Sequence, residues 1–359
     1  MIRRLFTLAS AVALATTVPA ARLSAQSSAG PLPRPVPGDT GERHLRNVTQ
    51  LTDGGENAEA YFSHDGKWLT FQSTRDGRTC DQQYVMRVSD ATTRRISTGQ
   101  GKTTCGWFFP GDRRLFFASS HAVDSACAPR PDPSKGYVWR LDPFDIYTVS
   151  RNGTGLRRLT NFGVYTAEGV LSPDGTSIAF TSLKDGDLDI YSMNADGSNV
   201  RRLTTTPGYD GGPWWSPDGK QIVYRAWHYE PGDSAYKAYK DLLDQRLVRP
   251  NKMELWVMNA DGTNQRQLTR LGGANFGPSW APGGTRIIFS SNHQAPPRSG
   301  NFDLYLINLD GSGLERLTYN KDFDGFPMFS PNGKKLVWAS NRHDNKQGET
   351  NLFIADWVP

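Results

Sequence analysis

The sequence predicts an all-β protein: a six-bladed β-propeller of four-stranded antiparallel blades, closed by an N-terminal strand that completes the last blade. Three observations carry this. First, one phrase recurs. Leu171-Ser-Pro-Asp-Gly175, Asp189-Ile-Tyr-Ser-Met-Asn-Ala-Asp-Gly197 and Arg202-Leu-Thr204 return as Trp215-Ser-Pro-Asp-Gly219, Glu254-Leu-Trp-Val-Met-Asn-Ala-Asp-Gly262 and Gln267-Leu-Thr269. Second, two landmarks stretch together. The residue opening the first turn (172, 216, 281, 330) and the glycine of the second (153, 197, 262, 311) both step by 44, 65 and 49. One repeated unit with insertions inside it explains both, and a unit of this size is the signature of a repeat architecture. Third, the last unit ends without a fourth strand, while His44-Leu-Arg-Asn-Val-Thr-Gln-Leu-Thr52 matches the fourth strand of the unit before it. Closing the ring with that segment removes open sheet edges.

In chain order, residues 1–25 read as a secretory signal. Arg3 and Arg4 precede a short apolar stretch from Leu5 to Val18, too short to remain as a membrane span. Residues 26–43 are rich in Pro, Gly and Ser and read as a disordered leader. The propeller occupies 44–359, with blades at about 53–97, 98–160, 161–204, 205–269, 270–318 and 319–359 plus 44–52. Each unit holds four short apolar runs, in the third blade near 168–171, 177–181, 188–193 and 200–203. None is long enough for a helix, and Val, Ile, Tyr, Phe and Trp dominate them. Pro in Ser-Pro-Asp-Gly presets φ for a tight turn and Gly supplies the positive φ that follows. Trp215, Trp256, Trp280 and Trp338 fall within strands and read as packing between blades.

The formal charge of +5 loses Arg3, Arg4 and Arg22 with the signal and falls to +2, which gives no nucleic-acid signature. Beyond the signal no segment is long and apolar enough to span a membrane. The three cysteines, Cys80, Cys105 and Cys127, sit in an exported chain that permits a disulfide. Cys105–Cys127 is the expected pair because both belong to the second blade.

Two insertions break the period, at 122–140 and 229–252, both between strands two and three and therefore on one face. The second carries an amphipathic helix, with an N-capping Asp or Ser, apolar Tyr236, Tyr239, Leu243 and Leu247, and Pro250 as its stop. Functional loops collect on one face of a rigid scaffold, which makes this the candidate binding face. Just after strand two the blades place Arg75, His121, Lys184, His228, His293 and Arg342. The first strands enter from the same face with Asn57 and Glu59, Thr103, Glu168, Asp210, Asn275 and Asp324. The candidate channel-mouth set is therefore Arg75, His121, Lys184, His228, His293, Arg342, Glu59, Glu168, Asp210 and Asp324. Two readings stand beside each other: ion pairing between blades, or binding of a ligand. His121, His228 and His293 occupy equivalent positions and form the candidate metal set. No nucleophile elbow, His-Glu-x-x-His or phosphate loop occurs, so no catalytic residue is assigned.

The Trp-Ser-Pro-Asp-Gly-Lys, Met-Asn-Ala-Asp-Gly-Ser-Asn and Arg-Arg-Leu-Thr phrases resemble the repeats of TolB-like propellers, over about residues 44–355. The resemblance implies a six-bladed propeller in the bacterial periplasm or outside the cell, and a binding role in the envelope, since TolB contacts a peptidoglycan-associated lipoprotein. It departs at the N-terminus, where TolB carries an α/β domain and this sequence shows a Pro-rich leader. The expectation is a monomeric, non-catalytic interaction protein. Its partner is an envelope protein or peptide bound on the insertion face, with no cofactor, no nucleic acid and no membrane span. The alternative is a metal-dependent propeller enzyme, similar to oligogalacturonate lyases, with a divalent ion in the channel held by the three histidines.

Overall fold

The repeats fold as strands because their turns satisfy themselves. In Ser216-Pro-Asp-Gly219 the Ser216 hydroxyl donates to Asp218 at 2.6 Å, the Gly219 N–H donates to the Ser216 carbonyl at 2.9 Å, and Gly219 sits at φ 70°. A glycine takes that φ without strain. The computed structural model describes residues 31–230, 232–296, 299–343 and 348–359. The signal segment and residues 26–30 of the leader lie outside the described residues.

The described residues form six blades, each with its first strand innermost. Blade 1 runs Asn57–Phe62, Trp68–Ser73, Gln82–Arg87 and Thr93–Arg95. Blade 2 runs Thr103–Phe108, Arg114–Ser119, Asp145–Ser150 and Arg157–Arg158. Blade 3 runs Thr166–Leu171, Ser177–Ser182, Asp189–Asn194 and Arg201–Arg202. Blade 4 runs Gly208–Trp215, Gln221–His228, Glu254–Asn259 and Arg266–Gln267, and blade 5 runs Asn275–Trp280, Arg286–Ser291, Asp303–Asn308 and Glu315–Arg316. Blade 6 joins Asp324–Phe329, Lys335–Ser340 and Asn351–Trp357 to the N-terminal strand Leu45–Gln50, with Leu45 opposite Trp357 and Thr49 opposite Ile354. The ring closes as the repeat arithmetic requires. Between blades the cores are aromatic and aliphatic: Trp215, Trp280 and Trp338 are buried in three such clusters, and Trp256 packs against one of them.

Residues 31–43 differ from the disordered leader that composition suggested. Arg34–Pro35 adds a fifth strand to blade 6, pairing with Gln50 and Thr49, and a proline is tolerated at such an edge. Glu42 is buried and accepts from Arg342 at 2.8 and 3.1 Å. Arg342 is itself buried, against Asp324 at 3.0 Å, and a guanidinium shut away from water needs carboxylates around it. The leader supplies one of them. Glu42→Gln is expected to lower unfolding stability by about 1.5–3 kcal/mol, the range for a hydrogen bond to a charged group. Urea unfolding at pH 7 measures this, and an unchanged midpoint would show that the leader is not part of the closure.

Among the described residues no helix is long and apolar enough to cross a membrane. The α-helix Ser234–Leu243 is capped by Asp233, which accepts from the Ala235 N–H at 2.8 Å, and buries Tyr239 and Leu243. It stops short of the expected Pro250. Arg246 adopts φ 55°, and Leu247–Val248 leaves the helix to pair with Trp139–Arg140 of the other insertion. The two insertions thus hold each other across blade 3.

Candidate functional site

Every innermost strand slips its register with the second strand at the same aligned place. A slip of this kind inserts an extra residue and bends the strand. The residue inside it takes left-handed backbone in all six blades: Glu59 (φ 52°), Cys105 (50°), Glu168 (58°), Gly212 (58°), Gly277 (57°) and Phe326 (55°). All six line one cavity. Holding a non-glycine residue there costs on the order of 1–3 kcal/mol, and strain of this kind gathers at functional sites.

The six positions carry different chemistry. Blades 1 to 3 present Glu59, Cys105 and Glu168. Blades 4 and 5 present glycines, and blade 6 presents Phe326. Blade 4 has a glycine because its space belongs to Arg225: a Cβ on Gly212 would lie 2.2 Å from Nη1 of that residue. Arg225 comes from the second strand of blade 4, is buried, and forms an ion pair with Glu168. Its Nε and Nη2 donate to the Tyr209 hydroxyl at 2.9 and 2.6 Å, and its guanidinium lies over the rings of Tyr209 (5.5 Å) and Trp139 (5.3 Å). Glu168 also accepts from the Thr181 hydroxyl at 2.7 Å and the Gly212 N–H at 2.8 Å. Its lone pairs are well supplied.

Glu59 is supplied differently. Its Oε2 is sealed from solvent and has no hydrogen-bond partner among the described residues. Burial pushes its carboxyl up to about 7, the neighbouring Cys105 thiol opposes the rise, and the Glu168 charge adds to it. Burial also pushes the Cys105 thiol well up, with the Glu59 and Glu168 charges adding, so it stays protonated. Asp81 is likewise raised to about 6 by burial, against the pull of Lys102 at 3.7 Å.

Outward from these residues the channel widens into a cavity of about 450 Å³ beneath the insertions. One wall is polar, with Gln72, Thr104, Glu59 and the Glu168–Arg225 pair. The facing wall is aromatic, with Phe276, Phe323 and Phe326 in mutual ring contact. The insertion 122–140 supplies the roof through Pro129, Tyr137 and Trp139, and Tyr137 stands 70 % exposed at its rim. The disulfide Cys80–Cys127 ties this insertion to blade 1, and Leu141 N–H donates to the Arg246 carbonyl at 2.8 Å. The helix anchors the other side, where the Tyr239 hydroxyl bonds Asp187 and the Gly208 carbonyl at 2.7 and 2.8 Å.

The tricorn protease N-terminal β-propeller domain family matches residues 142–254. No protein of curated function matches the sequence. Among solved structures, a protein described as a TolB from Agrobacterium tumefaciens is 19% identical with a TM-score of 0.56, over 85% of this chain and 91% of that one. TolB from Acinetobacter baumannii is 17% identical with a TM-score of 0.57, over 78% of this chain and 62% of that one. The fold is that of a TolB-like six-bladed propeller. An oligogalacturonate lyase in complex with manganese is also similar, at 16% identity and a TM-score of 0.50, over 90% and 95% of the two chains. One propeller fold therefore underlies proteins as different as TolB and a lyase, and function has to be read from the site.

In this TolB-like propeller only two of the ten channel-mouth residues expected from sequence, Glu59 and Glu168, line the cavity. The basic residues after strand two turn back over their own blades. Arg75 lies over Phe71 and Tyr84, and Arg342 over Trp338 and Phe353. His121, His228 and His293 pack against Tyr147, Trp256 and Tyr305. Lys184 reaches Asp185 at 3.3 Å. Asp210 accepts from His228 at 2.8 Å and Asp324 pairs with Arg342, so both face into their blades. These two sit two residues before the bulge residue, and the extra residue of the bulge breaks the alternation that would otherwise put both on one face.

The three histidines do not converge. His121 and His293 bond the serine two residues back, at 2.8 and 2.9 Å, and His228 bonds Asp210. Among the described residues no group of three His, Cys, Asp or Glu side chains is placed to hold a metal. The expected Cys105–Cys127 disulfide is corrected to Cys80–Cys127, leaving Cys105 free and buried. The bulge carries Cys105 into the channel, whereas Cys80 stands on the loop beside the insertion.

Sequence reasoning missed Arg225, Cys105 as a channel residue, and the aromatic wall. Two signals were present. Mid-strand Gly or Pro follows the bulge in five blades, at Gly106, Gly169, Pro213, Pro278 and Pro327, and such residues mark bulges. Arg225 interrupts the apolar run of its strand.

Proposed function

We propose that this protein is an exported, non-catalytic binding propeller of the cell envelope, and that its ligand or the tip of its partner enters the roofed cavity on the insertion face. The observation that carries this is the cavity itself. It is about 450 Å³, polar on one wall and aromatic on the other, and closed by two insertions that are pinned to each other and to blade 1. Concave sites with an apolar lining and a few directed polar groups are where ligands bind. The signal-like N-terminus and the disulfide support export.

A binding role is supported over catalysis by how the cavity's reactive groups are held. Glu168 is engaged by Arg225, Thr181 and Gly212, and Cys105 is kept as a thiol. The histidines that a lyase-like metal centre would need lie apart. A fragment library screened by ligand-detected NMR tests the reading. Hits are expected, and Trp139→Ala, which removes part of the roof, is expected to weaken them at least tenfold without unfolding the ring. Absence of hits, or turnover of uronides, lactones or peptides by the purified protein, would overturn it.

A further inference from the structure

Three of the carboxylates lining the cavity are ion-paired. Glu168 has Arg225, Asp81 has Lys102 at 3.7 Å, and Glu56 has Arg130 at 2.6 Å. Glu59 and Asp142 form no ion pair among the described residues, and of these carboxylates only Glu59 has a sealed oxygen, Oε2, without a hydrogen-bond partner; it projects into the same cavity from a left-handed backbone position. A buried carboxyl without a donor is costly, and a second carboxylate nearby makes it more so. On the adjacent blade 6, Phe326 occupies the equivalent bulge with Phe276 and Phe323 beside it, offering ring faces and no polar atom.

The geometry points to a ligand that carries a primary ammonium group, donating to Glu59 while its apolar body rests on the Phe276–Phe323–Phe326 wall. An ammonium satisfies three features at once. It supplies the missing donor, it offsets the second negative charge beside Glu168, and it is attracted by aromatic ring faces. A hydroxyl supplies only the donor. This inference rests on the binding reading above and names the ligand class for that cavity. The same chemistry is presented by a free small amine and by a peptide N-terminus.

The groups facing Glu59 are Cys105 from blade 2, Glu168 from blade 3, Arg225 from blade 4, Asp81 from its own blade's loop and Tyr61 from its own strand. Blades 5 and 6 contribute Gly277 and Phe326, which do not titrate. With the Glu59 carboxyl near 7, its ionised fraction rises about tenfold from pH 6 to pH 8, while an alkyl ammonium stays protonated and a peptide α-ammonium, which titrates at about 8, is about half deprotonated at pH 8.

Isothermal titration at both pH values with 2-phenylethylamine, its neutral analogue 2-phenylethanol, the tripeptide Phe-Gly-Gly and the N-acetylated tripeptide tests the assignment. Both amines are expected to bind, the small amine about tenfold and the tripeptide about three- to fivefold more tightly at pH 8 than at pH 6, and the neutral analogues more weakly than either. Glu59→Gln is expected to lower amine affinity at least tenfold and to leave 2-phenylethanol unchanged. Tighter binding of the tripeptide than of the small amine assigns a peptide N-terminus as the source, and the reverse assigns a free amine. Equal binding of 2-phenylethanol and 2-phenylethylamine at pH 8, or no effect of Glu59→Gln, overturns the ammonium assignment while leaving the cavity a binding site. Failure of all four probes also overturns it, and the fragment screen separately decides the binding reading.

Discussion

Arg225→Met is expected to destabilise the protein by about 3–5 kcal/mol, the cost of leaving one member of a buried ion pair without its partner. Arg225 is 5 % exposed, and Glu168 accepts its charge from the neighbouring blade. Methionine matches much of the side-chain length but removes the bonds to Tyr209 and the stacking between Tyr209 and Trp139. It also leaves the space above Gly212 unevenly filled. The Arg225→Met, Glu168→Gln double variant is expected to recover part of the loss, because the stranded charge is gone. Urea unfolding at pH 7 of the wild type, both single variants and the double variant gives the coupling directly. A loss under about 1 kcal/mol for Arg225→Met would show that the pair is effectively solvated. Because Trp139 belongs to the roof, the Arg225 variant also tests whether the floor of the cavity orders the insertion above it.

The ring was legible from sequence, and the contents of its channel were not. Ser216-Pro-Asp-Gly219 and its copies specify tight turns through local bonds, so each repeat announces its own strands. The closing strand Leu45–Gln50 was legible for the same reason, as a copy of a local pattern. A side chain's inward or outward aim depends on register, and a slip of one residue reverses it. Asp210 and Asp324 were expected at the mouth because the innermost strands enter from that face. The bulges that follow them deliver Gly212 and Phe326 to the axis instead, as the matching bulges of blades 3 and 2 deliver Glu168 and Cys105. The Cys80–Cys127 bond was hidden for a related reason. It joins neighbouring blades, and pairing within one blade is the shorter path in sequence but not in space. The union of the two insertions through Trp139–Arg140 and Leu247–Val248 uses segments two residues long, below what periodicity detects.

Glu59→Gln is expected to stabilise the protein at pH 8 and to leave its stability at pH 4 nearly unchanged. The sign follows from the direction of the shift. The Glu59 carboxyl is raised in the folded state from 4.5 to about 7 by burial, so the folded protein holds that proton more tightly than the unfolded chain does. Stability from this group is therefore intact below about 4.5, falls as pH rises to about 7, and stays reduced above it. The displacement corresponds to an upper bound of about 3.5 kcal/mol, at about 1.36 kcal/mol per pKa unit. Other groups titrate over the same range, but they are common to both proteins and cancel in the difference. Urea unfolding at pH 4, 6 and 8 is the measurement, and a difference that does not grow with pH would show that Glu59 is solvated in the folded state. A carboxyl that weakens its own fold at neutral pH, in a strained backbone position at the floor of a roofed cavity, is the pattern of a group kept for binding. The variant that gains stability is accordingly expected to be the one that loses amine affinity, and measuring both on the same protein joins the two effects to one side chain.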